Sequence, residues 1–387
     1  MNEAKIDLNN LDKSNWKTYR FDKIAKNISE RVDPNNTDLK VYIGLEHIDS
    51  ESLHIKRHGT PDDVNGTKLK FYKGDIIFGR RRAYQRKAGI ATTDGFCSAH
   101  ALVLRANPDV ITPELFPFFL HSDLFMNLAI DISVGSLSPT INWGTLKHQE
   151  FLLPPIDQQK KMAELLWSMN LSLQKDSELL DKLNDYSKTC IIDLFETYSK
   201  ECKEETPISH LYKTKLKSVD PITLGNSEVY HYSLPAFLET KSPEVVFADT
   251  IKSNKLLISE SVLLFSKLNP NNPKVWAVDY DDKKTKVGST EWLPVIPNEI
   301  FTISYLNAYF SSQYFIGQVM RFVQGTSNSH KRIDPKKFYS LKIPVLNSKY
   351  RNNIAHINNK LLQNKQQLSC KIDKAFTLYK TIINQVC

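Results

Sequence analysis

"VGSLSPTINWGTLKHQEFLLPPID", residues 134–157, is the most informative stretch of the sequence because its pattern recurs at residues 324–347 as QGTSNSHKRIDPKKFYSLKIPVLN. Aligned without a gap, the two stretches lie 190 positions apart and share a glycine, a proline and a helix-capping residue: Gly135 with Gly325, Pro154 with Pro344, and Asp157 with Asn347. Upstream, SDLF (122–125) matches SQYF (312–315) at the same offset. An ordered match of this kind indicates an internal duplication. The alternative, two unrelated domains that both end in a strand and a proline, stays open at this point.

Each half has the same predicted plan, in which strands come first and a helix follows. The strand-like runs are residues 41–48, 68–79 and 98–106 in the first half, and 261–267, 275–280 and 291–296 in the second. A single helix is then predicted to begin at Thr112 as the N-cap, with Pro113 in its first turn. Its counterpart in the second half is predicted at residues 303–320.

Long helices are predicted after the matched prolines, with Asp157 and Asn347 as N-caps and Pro207 ending the first helix. Both carry apolar residues at heptad spacing. These are Leu166, Met169, Leu173, Leu180, Leu183, Cys190 and Leu194 in the first helix, and Ile354, Ile357, Leu361, Leu368, Ala375, Leu378 and Ile382 in the second. Antiparallel packing of the two helices, as a rod between two globular halves, would bring Asp176 near Lys371, and an ion pair between them is predicted, with two solvated charges as the alternative.

The predicted fold class is therefore α+β, with two similar domains separated by two long helices that form an antiparallel coiled coil in a pseudo-two-fold arrangement. The predicted boundaries are 1–154 for the first domain, 155–205 for the first long helix, 206–345 for the second domain and 346–387 for the second long helix.

Composition limits the classes of function that the sequence supports. The 387-residue chain has a formal net charge of +8, which favours a polyanionic partner such as nucleic acid. Its five cysteines are scattered and the N-terminal stretch is polar, which predicts a cytoplasmic protein without a disulfide framework or a membrane span. No sequence motif for a phosphate-binding loop, a dinucleotide site, a zinc cluster or a nucleophile elbow occurs, so catalysis and a bound cofactor have no support.

What recurs is a set of polar clusters that mix basic residues with amides, hydroxyls and aromatic rings, which suits contacts with phosphates and base edges. In each half, one cluster follows a strand and the other precedes the strand that leads to the long helix, so the two are expected to form one face. The predicted DNA-binding residues are Arg80, Arg81, Arg82, Tyr84, Gln85, Arg86, Lys87, Ser138, Thr140, Asn142, Lys147, Lys267, Asn269, Asn271, Asn272, Lys274, Ser327, Asn328, His330, Lys331 and Arg332.

The chain resembles the specificity subunits of type I restriction–modification systems over essentially its full length. The residues that carry the resemblance are GDIIFGRRRAYQRKAGIATTDGFCSAHALVLRANP (74–108), VGSLSPTINWGTLKHQEFLLPPIDQQKKMAELL (134–166) and the repeat of a domain plus a long helix. The second copy, IPVLNSKYRNNIAHI (343–357), departs from the pattern because it lacks the second proline and the glutamine pair.

The resemblance implies a non-catalytic subunit that reads a bipartite site on double-stranded DNA through two target recognition domains. It also implies two methyltransferase subunits as partners, which would bring S-adenosylmethionine, and motor–nuclease restriction subunits. Three alternatives remain at this point. They are the specificity subunit of a fused restriction–methylation enzyme, a stand-alone enzyme acting on nucleic acid, and a scaffold that binds only protein.

Overall fold

The computed structural model describes residues 11–212, 216–281, 283–324 and 331–387. The chain divides into two compact units. Unit 1 comprises residues 1–177 and 370–387, and unit 2 comprises residues 178–369. Each unit contains strands, short helices and a part of both long helices.

Unit 1 is built on two larger sheets and one strand pair, with orders β2-β9-β6-β7, β3-β5-β8-β4 and β1-β10. The strands are β1 (Lys17–Arg20), β2 (Ala25–Ile28), β3 (Arg31–Val32), β4 (Tyr42–Ile43), β5 (Lys68–Phe71), β6 (Ile76–Gly79), β7 (Ala88–Ile90), β8 (Gly95–Cys97), β9 (Ala101–Ala106) and β10 (Glu150–Leu153). The pair β1-β10 joins the start of the unit to the segment that leads into the first long helix.

The short helices of unit 1 cover an aromatic core. They are α1 (Phe21–Ile24), α2 (Phe116–His121), α3 (Asp123–Asp131) and α4 (Trp143–Leu146). Phe21, Phe119, Phe125 and Phe151 pack with ring centroids 5.1–6.4 Å apart. All four rings are buried, and they hold α2 and α3 against the strands.

The single helix predicted from Thr112 is wrong, because the chain breaks into α2 and α3 at Ser122. Ser122 has an extended backbone, and its Oγ accepts a hydrogen bond from the Phe125 N–H at 3.2 Å. The same Oγ donates to the Phe119 carbonyl at 2.7 Å, so one hydroxyl ends one helix and begins the next. Thr112 does start the turn before α2, since its carbonyl accepts from the Phe116 N–H at 3.0 Å.

The first long helix, α5, runs from Ile156 to Ser199. Asp157 therefore lies inside the first turn instead of at the N-cap, because the Pro155 carbonyl already accepts the Gln159 N–H at 3.0 Å. The helix is also shorter than predicted at its other end. Pro207 does not end it, since residues 205–207 pair with a strand of unit 2 and the helix has already stopped at Ser199.

Unit 2 has the corresponding architecture, with sheet orders β12-β15-β18-β13-β14, β17-β16-β19, β11-β22 and β20-β21. Its strands are β11 (Glu205–Pro207), β12 (Ser218–Val219), β13 (Glu228–Tyr232), β14 (Glu244–Phe247), β15 (Lys255–Ile258), β16 (Val262–Ser266), β17 (Val275–Val278), β18 (Lys286–Gly288), β19 (Trp292–Val295), β20 (Val323–Gln324), β21 (Arg332–Ile333) and β22 (Lys342–Pro344). Its short helices are α6 (Leu234–Glu239), α7 (Ile303–Ser311), α8 (Gln313–Val319) and α9 (Pro335–Ser340).

The single helix predicted at 303–320 is likewise wrong and is split at Ser312. The Ser312 Oγ accepts from the Phe315 N–H at 3.2 Å and donates to the Tyr309 carbonyl at 2.6 Å. The break therefore follows from the same SxxF pattern that supported the duplication, because the serine needs an extended backbone to cap the following helix.

The second long helix, α10, runs from Ser348 to Val386, and the Asn347 Oδ1 caps it by accepting the Tyr350 N–H at 2.9 Å. Within unit 1, α5 and α10 are antiparallel, since Asn170 bonds Tyr379 while Asp176 pairs with Lys371. The predicted Asp176–Lys371 ion pair is confirmed at 2.8 Å. One member of the predicted seam is wrong, because Leu378 is 55% exposed and the neighbouring Tyr379 and Ile383 are buried instead.

Several strand pairings recur in both units, which supports the duplication beyond the matches found in the sequence. β3 pairs with β5 as β12 pairs with β15, and β4 runs parallel to β8 as β13 runs parallel to β18. A further repeat emerges in Val32-Asp33-Pro34 and Val219-Asp220-Pro221. Asp33 and Asp220 each accept a hydrogen bond from the N–H two residues on, at 3.0 and 3.2 Å.

Candidate nucleic-acid interface

The arginine loop of unit 1, residues 79–89, connects β6 to β7. A hydrogen bond from the Gly79 N–H to the Lys87 carbonyl, at 2.8 Å, closes its base. Inside the loop a short turn lies between Arg82 and Arg86, whose backbones are both left-handed, with φ of 55° and 49°. This conformation is unfavourable for a residue other than glycine, so the surrounding contacts must hold it.

The second polar cluster of unit 1, the serine loop at residues 134–142, packs directly on the arginine loop. The Arg82 N–H donates to the Pro139 carbonyl at 2.8 Å, and the Ile141 N–H donates to the Arg80 carbonyl at 2.9 Å. Side chains join them as well, because the Arg82 Nε donates to the Ser138 Oγ at 3.3 Å. The two clusters therefore form one continuous face, as their positions in the sequence predicted.

Unit 2 repeats this arrangement with different side chains. Its counterpart is the asparagine loop, residues 266–276, which the Ser266 N–H closes by donating to the Lys274 carbonyl at 3.0 Å. Asn269 takes the place of Arg82, with a φ of 48°, and its N–H donates to the Lys331 carbonyl at 2.8 Å. The backbone contacts of the two loops thus match at the base, at the left-handed residue and at the second cluster.

Several predicted residues of unit 1 present polar atoms to the surface of this face. Arg81 and Arg82 are exposed, Tyr84 is 55% exposed, and Gln85 is half-buried. Arg80 is half-buried and its Nη2 donates to the Asn142 Oδ1 at 3.3 Å. Guanidinium, phenol and amide groups at one surface provide donors for phosphate oxygens and for base edges.

Two predicted residues of the arginine loop lie elsewhere. The Arg86 guanidinium is 17% exposed and forms ion pairs with Asp123 at 2.5 Å and Glu51 at 3.2 Å. Lys87 is half-buried and its Nζ donates to the Leu45 carbonyl at 2.7 Å. These cations serve contacts inside the protein in this structure, unlike the exposed Arg81.

The other predicted residues of unit 1 are placed around the serine loop. Thr140 is half-buried, with its Oγ1 donating to the Ser138 carbonyl at 3.1 Å. Lys147 is half-buried and follows α4. Sequence reasoning did not select Leu137, yet this loop residue is 92% exposed beside the arginines. A fully exposed leucine next to cations suits apolar contact with a base, and no sequence signal distinguishes it from a core residue.

In unit 2, Asn271 and Asn272 are exposed at the tip of the asparagine loop, and Lys331 is half-buried. Lys267 donates through its Nζ to the Thr290 carbonyl at 2.5 Å, and burial lowers the pKa of Lys274. Arg332 is 60% exposed and lies 3.6 Å from Glu291. The predicted Ser327, Asn328 and His330 lie outside the described residues.

The candidate face is defined by its polar and cationic surface. Among the described residues, no group of His, Cys, Asp and Glu side chains is arranged to hold a metal ion. Across the same parts of the chain, every helix is too short or too polar to span a bilayer. The tryptophan near the second loop, Trp276, is buried against Tyr232 and Trp292, so it belongs to the core.

A family model describes residues 13–184 as a type I restriction modification DNA specificity domain. The chain is 27% identical over 188 residues to the type I restriction enzyme EcoDI specificity subunit of Escherichia coli, which covers 47% of this chain and 42% of that protein. The HindI specificity subunit of Haemophilus influenzae is 20% identical over 182 residues, covering 45% and 39%. The chain thus spans about two-fifths of the length of these relatives.

The type I restriction–modification S subunit of M. genitalium has a similar fold, with a TM-score of 0.56, 14% identity and 96% coverage of both chains. A chain from the structure of complex assembly and conformational transition of the type I R-M system has a TM-score of 0.57 at 14% identity, covering 96% of this chain and 97% of that chain. These neighbours confirm the predicted fold class of two domains joined by long helices.

The fold places the same framework of two polar clusters in each of the two units. The family model matching residues 13–184 describes a type I restriction modification DNA specificity domain, and the named relatives are type I specificity subunits, so the chain is similar to that class of protein. Both relatives are named specificity subunits, the class that the sequence predicted for this chain.

Proposed function

We propose that the chain reads a bipartite DNA site, with unit 1 contacting one half-site and unit 2 the other. The observation that carries the proposal is the match between the arginine loop and the asparagine loop. Both follow a buried strand, both contain a left-handed residue at the same place, and both pack on a second polar cluster. Two copies of one framework with different side chains suit two different half-sites.

The chemistry of the two loops fits this division. The exposed Arg81 and Arg82 supply charge for phosphate contacts, and an arginine also reads guanine through two hydrogen bonds. The exposed Asn271 and Asn272 supply amides, which pair with adenine in the major groove. The proposed site is therefore asymmetric, because the two loops offer different donors and acceptors.

The proposal includes partners that do the chemistry. The subunit would recruit two methyltransferase subunits, which would bind S-adenosylmethionine and methylate the site, and restriction subunits that cleave unmodified DNA. This chain would itself be non-catalytic and would act in the cytoplasm, where the DNA is. The names of the similar proteins and the family model that matches residues 13–184 support this assignment.

Methylation mapping tests the proposal directly. DNA from cells that express the chain with its neighbouring methyltransferase should carry a methylated motif in two parts separated by an unspecified spacer. Exchanging residues 1–154 for those of a relative should change one part only, whereas exchanging residues 206–345 should change the other. A continuous motif, or a motif that both exchanges leave intact, would contradict the proposal.

A further inference from the structure

The ion pairs of Arg86 form part of a larger cluster in unit 1. The Arg86 Nη2 lies 2.5 Å from the Asp123 Oδ1, and its Nε lies 3.2 Å from the Glu51 Oε1. The same Nη2 is 3.4 Å from the His121 carbonyl oxygen. One guanidinium therefore joins three segments that are distant in the sequence.

The last two turns of α10 complete the cluster by binding both carboxylates. The Asn384 Nδ2 donates to the Asp123 Oδ2 at 2.6 Å, and the Asn384 Oδ1 accepts the Asp123 N–H at 2.8 Å. Lys380 pairs with Glu51. Each carboxylate that holds Arg86 is thus itself held by a residue of α10.

The cluster is electrically balanced, since two cations, Arg86 and Lys380, face two carboxylates, Glu51 and Asp123. Burial would raise the pKa of Asp123, but hydrogen bonds from Arg86 and Asn384 outweigh it and lower that pKa, which keeps the carboxylate charged. Because its charge is compensated and its side chain is mostly buried, Arg86 adds no net positive charge for a phosphate to meet.

Residues of the cluster and its neighbour Ser50 hold the arginine loop by hydrogen bonds to the loop's backbone. The Glu51 N–H donates to the Arg86 carbonyl at 3.0 Å, and the Ser50 Oγ donates to the Gln85 carbonyl at 2.6 Å. Both contacts fall at the left-handed end of the loop, a conformation that needs outside support. The position of the exposed Arg81 and Arg82 therefore depends on groups that do not reach the exposed face.

We infer that Arg86 is a positioning residue and that Asn384 and Lys380 of α10 clamp it, so the C-terminal helix sets the geometry with which unit 1 meets DNA. This inference rests on the proposed function. It assigns to Arg86 a role opposite to the direct DNA contact that its sequence context predicts. It also makes α10 a determinant of how unit 1 reads its half-site.

The test compares Arg86→Gln and Asn384→Leu with Arg81→Gln and with Lys371→Met. Arg81→Gln represents a direct contact, and Lys371→Met removes an ion pair of α10 that does not touch the loop. The full chain in complex with its methyltransferase is titrated with a duplex that carries the mapped motif, over a range of salt concentrations. Hydrogen exchange of residues 79–89 and 266–276 is measured without DNA.

For Arg81→Gln we expect a fall of about one in the slope of log affinity against log salt. For Arg86→Gln and Asn384→Leu we expect affinity to fall roughly three- to tenfold with the slope unchanged, and the double variant to bind no worse than Arg86→Gln alone. Amide hydrogens of residues 79–89 should exchange faster in both variants, while those of residues 266–276 should exchange at the wild-type rate. In the Lys371→Met variant, both loops should exchange as in the wild type.

The inference is overturned if Arg86→Gln lowers the salt slope while Asn384→Leu binds and exchanges as the wild type does. It is equally overturned if loop exchange is unchanged in Asn384→Leu, a measurement that needs no DNA. Absence of salt-sensitive binding by the wild-type complex would contradict the proposed function instead. Thermal unfolding of each variant measures any general loss of stability. Such a loss would also raise the exchange rate in both loops.

Discussion

The arginine loop and the asparagine loop share a closing hydrogen bond and one left-handed residue at the same place, but they differ in chemistry. Each is closed by a hydrogen bond between its ends, and each packs on a second cluster through the residue with positive φ. The first presents cations, while the second presents amides between prolines. The shared framework therefore fixes the position of each loop, whereas the side chains set the chemistry that the loop presents.

The loops also differ in what supports them. Arg86 is tied down by ion pairs to Glu51 and Asp123, whereas the corresponding position of the asparagine loop is Pro273. Proline restricts its own backbone and needs no partner, because its ring fixes φ. At this position, tertiary contacts hold the arginine loop, whereas the covalent geometry of proline restricts the asparagine loop.

The largest expected effect separates the two loops by charge. Replacing Arg80, Arg81 and Arg82 together by Gln should weaken binding of the complex to its site about 100-fold or more at physiological salt, with a lower salt slope, because phosphate contacts release counterions. Titrations at several salt concentrations measure both quantities.

The matched control for that variant is Lys17, Lys23 and Lys26 changed to Gln, which removes the same net charge from exposed positions outside both loops. Equal losses in the two triple variants would mean that overall charge, and not the arginine loop, governs the affinity, and the comparison of loops would fail.

The next effect concerns stability and distinguishes the units. Burial lowers the pKa of His121 to about 4, so the folded state binds no proton there while the unfolded state does so below its ordinary pKa. Stability is therefore fully present above that ordinary value and declines as the pH falls towards 4, by about 3 kcal/mol in total.

Urea unfolding of the wild type and of His121→Gln between pH 7 and pH 4 checks this expectation. The variant is predicted to lose less stability on acidification, whatever its stability at pH 7. The corresponding position in unit 2 is Ser311, so Ser311→Ala provides a control that should leave the pH dependence unchanged. Parallel pH profiles for the wild type and His121→Gln would contradict the assignment.

A smaller effect tests the asparagine loop. Asn272→Ala should cost about 1–3 kcal/mol for one base pair of the second half-site and leave the salt slope unaltered, since an amide reads a base without releasing counterions. Binding to a panel of duplexes with single base-pair changes measures it. Uniform loss over the whole panel, or a lower salt slope, would show that the loop does not read bases through Asn272.

The smallest effect involves Asp176 and Lys371. Reversing either charge alone should lower the free energy of unfolding by about 0.2–1 kcal/mol, because Lys371 is largely exposed and solvent screens the pair. Reversing both should recover most of that loss, as urea unfolding would detect. If the double variant lost as much free energy of unfolding as the two single variants together, the pair would have no role in helix register.

Sequence patterns gave the architecture because the signals were long and repeated. The matched glycines and prolines indicated a duplication, and the heptads predicted both α5 and α10, although α5 ends at Ser199, earlier than predicted. The splits at Ser122 and Ser312 escaped prediction, since a serine inside an apolar helical pattern also suits an unbroken helix. The Val-Asp-Pro repeat was too short to separate from chance.

The candidate face was predictable as a set of clusters and not as individual roles. Arg81 and Arg86 look alike in the sequence, and only the folded chain brings Glu51, Asp123 and Asn384 around one of them. Leu137 was missed for a related reason, because the local sequence does not distinguish an exposed leucine from a buried one. Roles that depend on distant partners require the tertiary structure.

The equal spacing of the loop ends has a practical consequence for protein engineering. Residues 80–87 and 267–274 have the same length, and each stretch follows the residue whose N–H closes its loop, so we expect each to be exchangeable as one segment. If residues 267–274 replaced residues 80–87, Pro273 would restrict the backbone of the grafted loop. Glu51 and Asp123 would, however, lose their ion pairs with Arg86. Re-targeting unit 1 by grafting therefore calls for neutral replacements at Glu51 and Asp123 along with the new loop.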